Sequence, residues 1–304
     1  MKAIIDTDPG VDDAMAIFFA ASCPQIELIG LTTVFGNVDV EMATRNALHL
    51  VEMLDRPIPV AKGSSAPLGG RPWEPVLWIH GDQGLGGLDA PSPKGRAIES
   101  HAVDFLIEQA RRHKGELVLF PIGPLTNIAA AIQRDPEFAT NVARIFVMGG
   151  VVRAPGNVTP FAEANIHNDP EAAQIVFDSG AEIVLVGLDV TDRILVTKQD
   201  FAAVAGQSPK FGGFLAAISD FYIDLYLKRG ANGCSLHDPA TVIAAVRPDL
   251  FETAEGDVEV RLDGDQLGRT VLQDSRKKQN LRVCVDAKLD AVRDVFLRGI
   301  GQLA

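Results

Sequence analysis

Ile4-Ile5-Asp6-Thr7-Asp8-Pro9-Gly10-Val11-Asp12-Asp13-Ala14 takes the chain from a short apolar strand through a Pro-Gly turn into a helix, and it sets four carboxylates within eight residues. A strand followed by a tight turn and a helix is the opening unit of an α/β fold, and open α/β sheets bind ligands at the carboxyl ends of their strands. If Asp8, Asp12 and Asp13 converge there, each pair of charges about 4 Å apart costs on the order of 4 kcal/mol at an effective dielectric near 20. A helix N-terminus returns at most about 2 kcal/mol. The imbalance calls for a cation. Every ligand on offer is an oxygen, which suits a hard ion such as Ca2+ or Mg2+, and no His/Cys cluster points to zinc. The competing reading is that Asp12 caps the helix while the other carboxylates face water, the commoner use of any single Asp in such a turn.

The same rhythm continues outward. Nearly all-apolar runs at 3–5, 28–34, 117–120, 145–148 and 183–186 read as strands of a sheet covered on both faces. Helical patterns fall between and after them, at 13–21, 40–54, 100–113, 126–133, 170–177, 198–205, 211–228, 239–246 and 287–297. Asp169, Pro170 and Glu171 give the helix at 170–177 a cap, a first-position proline and a first-turn acid. Val258, Val260 and Leu262 alternate like a strand in a hairpin-like C-terminal piece. No repeat or linker marks a boundary, so the expected architecture is a single α/β domain over residues 1–304, with an open, mostly parallel, Rossmann-like central sheet flanked by helices. The longest irregular stretches, 62–96 and 151–168, are rich in Gly, Pro, Asn and Asp, as functional loops often are.

Bulk composition limits the partners. A net charge of −12 repels the phosphates of nucleic acid and of anionic lipid and favours small neutral or cationic ligands. Three cysteines, Cys23, Cys234 and Cys284, lie far apart in no metal-ligand spacing, which argues for free thiols in a reducing compartment. With no signal-like or membrane-length apolar segment, the default location is cytoplasmic.

The segment Asp6 to Ala14 strongly resembles the N-terminal motif of the inosine-uridine preferring nucleoside hydrolase family. Further matching segments follow in order: Gly36-Asn37, His80-Gly81, Gly84-Leu85-Gly86-Gly87, Gly123-Pro124-Leu125-Thr126-Asn127, Gly149-Gly150, Gly156-Asn157, Glu163-Ala164-Asn165 and His237-Asp238-Pro239. The resemblance implies the nucleoside hydrolase fold and Ca2+-dependent hydrolysis of the N-glycosidic bond of a ribonucleoside, inosine or uridine, by a homodimer or homotetramer. It implies that Asp8, Asp13, Asp238 and the main-chain carbonyl of Ile122 hold Ca2+, although relatives often carry Thr at the position of Ile122. It places Asp12 and Asn37 on the 2′ side of ribose, Asn165 at the 3′ hydroxyl, and Asn157 and Glu163 around the 5′ hydroxyl. Asp8 would take the proton of the attacking water and His237 would protonate the departing base, with His80 as a further contact to base or ribose. Tyr222 and Tyr226, four apart on one helix, fit either a base contact or ordinary core packing. Gln83 leaves base recognition around its loop open.

Two competitors are weighed against this. Asp6-Thr7-Asp8 mimics the Asp-x-Asp of haloacid dehalogenase-type phosphatases, but Gly10 stands where that motif carries Thr or Val. A non-catalytic nucleoside- or sugar-binding protein on the same scaffold would have no use for both Asp8 and His237.

Overall fold

A computed structural model describes residues 1–273 and 280–303. Its strands are β1 (Lys2–Thr7), β2 (Glu27–Thr33), β3 (Val60–Lys62), β4 (Leu117–Pro121), β5 (Arg144–Met148), β6 (Ile183–Val186), β7 (Leu195–Val196), β8 (Cys234–Ser235), β9 (Phe251–Glu255), β10 (Asp257–Val260), β11 (Thr270–Gln273) and β12 (Leu281–Ala287). Eight of them form one sheet in the order β3-β2-β1-β4-β5-β6-β12-β9, parallel throughout except for β9 against β12. The antiparallel pairs β10-β11 and β7-β8 stand apart from it.

Successive side chains of a strand point to opposite faces, and here both faces are buried. Ile5, Phe120, Phe146, Met148 and Val186 pack on one side against helices Val11–Ser22, Phe211–Lys228, His237–Val246 and Leu289–Gly301. Ile4, Leu119, Ile145, Val147 and Leu185 pack on the other against helices Ala102–Arg112, Thr126–Arg134 and Pro170–Phe177. That two-sided burial is why the inner strands read as unbroken apolar runs. Asp169 caps the helix Pro170–Phe177 as its sequence predicts, accepting from Ala172 N, and it also binds Leu68 N and Thr126 Oγ1.

The sheet order places the site. From β1 the chain adds β2 and then β3 on one side before returning to lay β4 on the other. Two crossovers thus diverge at the carboxyl ends of β1 and β4 and leave a crevice between them, the usual ligand site of an open α/β sheet. The acidic turn after β1 opens into that crevice.

Several elements differ from the sequence expectation at the periphery. β9 and β12, near or at the edge, were not legible as strands because Glu252, Glu255, Arg282 and Asp286 break the apolar run. The last helix starts two residues later than expected, at Leu289, because Ala287 still belongs to β12, and Leu262 falls outside β10. The three cysteines are unpaired. Among the described residues no helix is long and apolar enough to cross a membrane.

Phe120 is fully buried at the middle of the sheet, its ring 5.6 Å from that of Phe146. Phe120→Ala should lower the unfolding free energy by about 3–5 kcal/mol, as large-to-small changes in a close-packed core do. Urea denaturation followed by circular dichroism measures this; a loss below about 1 kcal/mol would show that the face it packs against is loose.

Candidate active site

The turn after β1 buries all of its carboxylates: Asp6, Asp8, Asp12 and Asp13 are each at most 6% exposed. Asp13 accepts from Thr7 Oγ1 at 2.5 Å, from Gly10 N at 2.8 Å and from the Asn37 side-chain amide at 3.1 Å, so the first helical turn is closed by its own acid. Asp8 accepts the Asn37 backbone N–H at 2.6 Å through one oxygen, while its other oxygen has no partner. Gly123 packs directly on that carboxylate; a Cβ there would sit 2.5 Å from Asp8 Oδ1. Behind these, Asp6 accepts from Thr32 Oγ1 and from Asn127 Nδ2, and Asn127 also binds the Thr33 carbonyl, tying together the ends of β1 and β2.

The fourth element comes from far along the chain. Asp238 lies in the first turn of helix His237–Val246, 3% exposed, and oxygens of Asp12, Asp13 and Asp238 lie within 4.8 Å of one another. Burial is the largest cause of the upward pKa shift at each carboxylate of the cluster. At Asp8 and Asp238, mutual repulsion with the neighbouring aspartates adds to it and pushes both well above the usual range. Asp13 is raised to about 6 and Asp6 to about 7. Asp8 Oδ1 and Asp12 Oδ1 are buried without a hydrogen-bond partner. Buried carboxylate oxygens without partners, beside three carboxylates whose oxygens lie within 4.8 Å of one another and with no nitrogen or sulfur donor in that group, fit a hard divalent cation. The Ile122 carbonyl accepts from the Asn165 side-chain amide at 2.9 Å and keeps a second lone pair for such an ion.

Over this floor opens a cavity of about 570 Å3 lined by Asp12, Asn37, His80, Ile122, Asn157, Glu163, Asn165, His237 and Asp238; Asp8 and Asp13 do not line it but both hydrogen-bond to Asn37, which does. Nine of the residues singled out from the sequence thus line one cavity, while Asp8 and Asp13 contact it through Asn37. Their tasks are partly structural. Glu163 caps helix Ala164–Asn168 and accepts the backbone N–H groups of Gly150, Asn165 and Ile166, while Asn157 Oδ1 accepts from Ala164 N. Asp189 holds the loop that carries Asn157 by accepting the N–H groups of Val152, Arg153 and Ala154.

The wall opposite the loop carries a chain of hydrogen bonds. His237 Nδ1 meets Thr191 Oγ1 at 2.9 Å, its Nε2 meets the Tyr226 hydroxyl at 2.9 Å, and Tyr226 meets Tyr222 at 3.2 Å. The Tyr222 hydroxyl in turn lies 3.5 Å from Asp12 Oδ2. Both tyrosines line the cavity, so the site reading of that helix face holds over plain core packing. Burial keeps both phenols protonated by raising them above their ordinary value. His80 stacks on Tyr222 at 5.4 Å and accepts Val11 N–H through Nδ1 at 3.2 Å; burial lowers it to about 4, so it stays neutral with its proton on Nε2. Thr191, Asp192, Trp78 and Arg229 complete the surroundings and were not marked by the sequence analysis, since none belongs to a motif spacing. Gln83 instead accepts from Arg45 outside the cavity lining.

Residues 3–294 match the family described as inosine-uridine preferring nucleoside hydrolase. A probable uridine nucleosidase of Arabidopsis thaliana is 46% identical over 280 residues, covering 91% of this chain and 87% of its own length. A non-specific ribonucleoside hydrolase of Salmonella enteritidis is 38% identical over 274 residues, covering 90% and 88% respectively. Among solved structures, a purine-preferring ribonucleoside hydrolase from Gardnerella vaginalis superposes with a TM-score of 0.96 at 38% identity, over 100% of this chain and 99% of that one.

The cluster predicts a pH signature. An acid whose folded pKa is raised binds its proton more tightly in the native state, so it lends stability below the unfolded pKa, about 4, and that contribution is lost as pH rises through the folded value. For Asp13 and Asp6 the window runs from about 4 to about 7. Protein stripped with EDTA should melt at progressively lower temperature from pH 5 to pH 8. A saturating divalent cation should abolish most of that decline, because it binds the ionised carboxylates of the native state. Melting curves with the same pH dependence in both conditions would contradict the cation reading.

Proposed function

Since the chain belongs to the inosine-uridine preferring nucleoside hydrolase family and is a ribonucleoside hydrolase, we propose that Ca2+ is its ion and that uridine and inosine are among its substrates. The observation that carries this is the pairing of orphaned, buried carboxylate oxygens on the cavity floor with a histidine-tyrosine pair on its wall. Asp8, Asp13, Asp238 and the Ile122 carbonyl would hold the ion; of these Asp13 and Asp238, together with Asp12, have oxygens within 4.8 Å of one another, and Asp8 stands outside that group. When bound, the ion supplies the positive charge that acidifies water and fixes a vicinal diol.

The chain's own residues do the rest. Asp8 Oδ1 is buried without a hydrogen-bond partner, which leaves it an acceptor for the proton of the attacking water. Asp12 Oδ1 offers a free acceptor and Asn37 a directed amide to the 2′ hydroxyl. Asn165 lies by the 3′ hydroxyl, and the Asn157 amide by the 5′ end. A pocket built to hydrogen-bond a hydroxyl strongly rejects analogues that lack it, which favours ribosides over deoxyribosides. On the wall, His237 is fixed by Thr191 and delivers a proton through or beside the Tyr226 hydroxyl to the departing base, which leaves poorly as an anion. Water attacks directly, with no covalent sugar intermediate, so the anomeric carbon inverts. Names among the relatives span uridine, purine and non-specific ribonucleosides, which supports ribonucleoside chemistry at the coarse level and leaves the base to the residues at the cavity mouth.

Incubation with uridine or inosine should release free base and reducing sugar, whereas release of phosphate from a phosphomonoester without nucleoside cleavage would overturn the reading. His237→Ala should lower kcat on inosine by about 10²–10⁴-fold, the usual worth of a general acid. Its effect on p-nitrophenyl riboside, whose leaving group needs no proton, should stay below about tenfold. Equal losses on both substrates would mean that His237 supports Asp238 or ribose instead.

A further inference from the structure

Arginines at the surface of this acidic chain commonly pair with carboxylates: Arg71 with Glu171, Arg134 with Asp104, Arg193 with Asp286 and Arg247 with Asp249. Arg229 is different. It follows helix Phe211–Lys228, lines the cavity mouth and lays its guanidinium 4.9 Å above the Trp78 indole, with no carboxylate or carbonyl partner among the described residues. Asp192 follows the turn Leu188–Thr191 and lines the same cavity. Its Oδ1 lies 3.8 Å from His237 Nε2, its side chain is 45% exposed, and among the described residues no donor hydrogen-bonds to that carboxylate. Neither residue serves the cation or ribose. One charge of each sign therefore lines the outer cavity, Asp192 with His237 beside it and Arg229 with no ion pair among the described residues.

Building on the ribonucleoside reading, we propose that Asp192 and Arg229 are the specificity-determining pair for the base and that the edge they read is that of uracil. A base linked to ribose over the carboxylate floor passes His237 and Tyr226 and turns its far edge toward the mouth. A guanidinium only donates hydrogen bonds and an ionised carboxylate only accepts them, so the edge that satisfies both carries an acceptor beside a donor. Uracil presents a ring N–H with a carbonyl on each side. The N–H held by Asp192 thus leaves an acceptor for Arg229 from whichever side the guanidinium comes. Cytosine and adenine present their donor, an exocyclic amine, at the end of the edge with an acceptor on one side only. Stacking on the exposed Trp78 indole orients the guanidinium at the cavity.

The test compares kcat/KM for uridine, cytidine and 3-methyluridine, which lacks the ring N–H, in the Ca2+-loaded wild type and in the variants Asp192→Ala, Arg229→Met and Arg229→Lys. A ratio of two substrates on one preparation does not depend on how much of a variant is folded. The wild type should prefer uridine to 3-methyluridine. Asp192→Ala should lower the uridine-to-cytidine ratio by about tenfold or more and erase the discrimination against 3-methyluridine, mainly through KM, because the contact exists already in the bound substrate. Arg229→Met should lower the same ratio, and Arg229→Lys should restore part of it. Equal loss on uridine, cytidine and 3-methyluridine would show that Asp192 acts through His237 and would overturn the inference, as would unchanged ratios. A wild type that cleaves no riboside at all would instead overturn the proposed function, and this inference with it.

Discussion

The mutual repulsion of Asp8, Asp12, Asp13 and Asp238 is the constraint around which the rest of the molecule is arranged. Each is almost fully buried, and charges this close in a medium of effective dielectric near 20 oppose one another by several kcal/mol per pair. Hydrogen bonds from Thr7, Gly10 and Asn37 relieve part of this at Asp8 and Asp13. They leave Asp8 Oδ1 and Asp12 Oδ1 facing inward unpartnered. A bound cation would offset this repulsion, and on the proposed reading the same unsatisfied oxygens would supply the base and the sugar contacts.

The scaffold concentrates this chemistry because the sheet reverses direction of growth between β1 and β4. Loops after β1, β4, β5 and β6 all emerge at one edge. On the proposed reading, the groups for ribose come from the segments after β1 and β2 and from the loop after β5, held down by Asp189, and the acid on the wall is positioned by the turn after β6 together with helices Phe211–Lys228 and His237–Val246. One carboxylate of the floor, Asp238, and the histidine beside it lie more than two hundred residues from the other carboxylates. Loading of the floor and delivery of the proton are thereby linked through a single helical turn.

Much of this was legible in the chain itself. The inner strands could be read because burial on both faces removes polar residues from them, and the Asp6 to Ala14 turn because four acids at a strand end have few other uses. The edge strand β9 and its neighbour β12 were hidden by their charged positions, and β3, β7 and β8 by being only two or three residues long. Most residues of the recurring motifs come together around one cavity. Thr191, Asp192, Trp78 and Arg229 were not legible, because their roles arise from contacts between distant segments, such as Thr191 with His237 and Arg229 with Trp78, that leave no spacing in the sequence. Tyr222 and Tyr226 were ambiguous for a physical reason. An aromatic pair four apart on a helix looks the same whether it faces a core or a pocket; here both rings line the cavity, Tyr226 shares a hydrogen bond with His237, and Tyr222 is packed in the core as well.

The central claim is that one cation takes the place of protons in the carboxylate cluster. Calorimetric titration of Ca2+ into chelator-stripped protein near pH 6, repeated in buffers of different ionisation enthalpy, counts the protons displaced. Because Asp13 ionises at about 6 and Asp8 and Asp238 above their usual range, the account predicts a single saturable site with release of about one proton or more per ion. Absence of binding, or binding with no proton release, would contradict it.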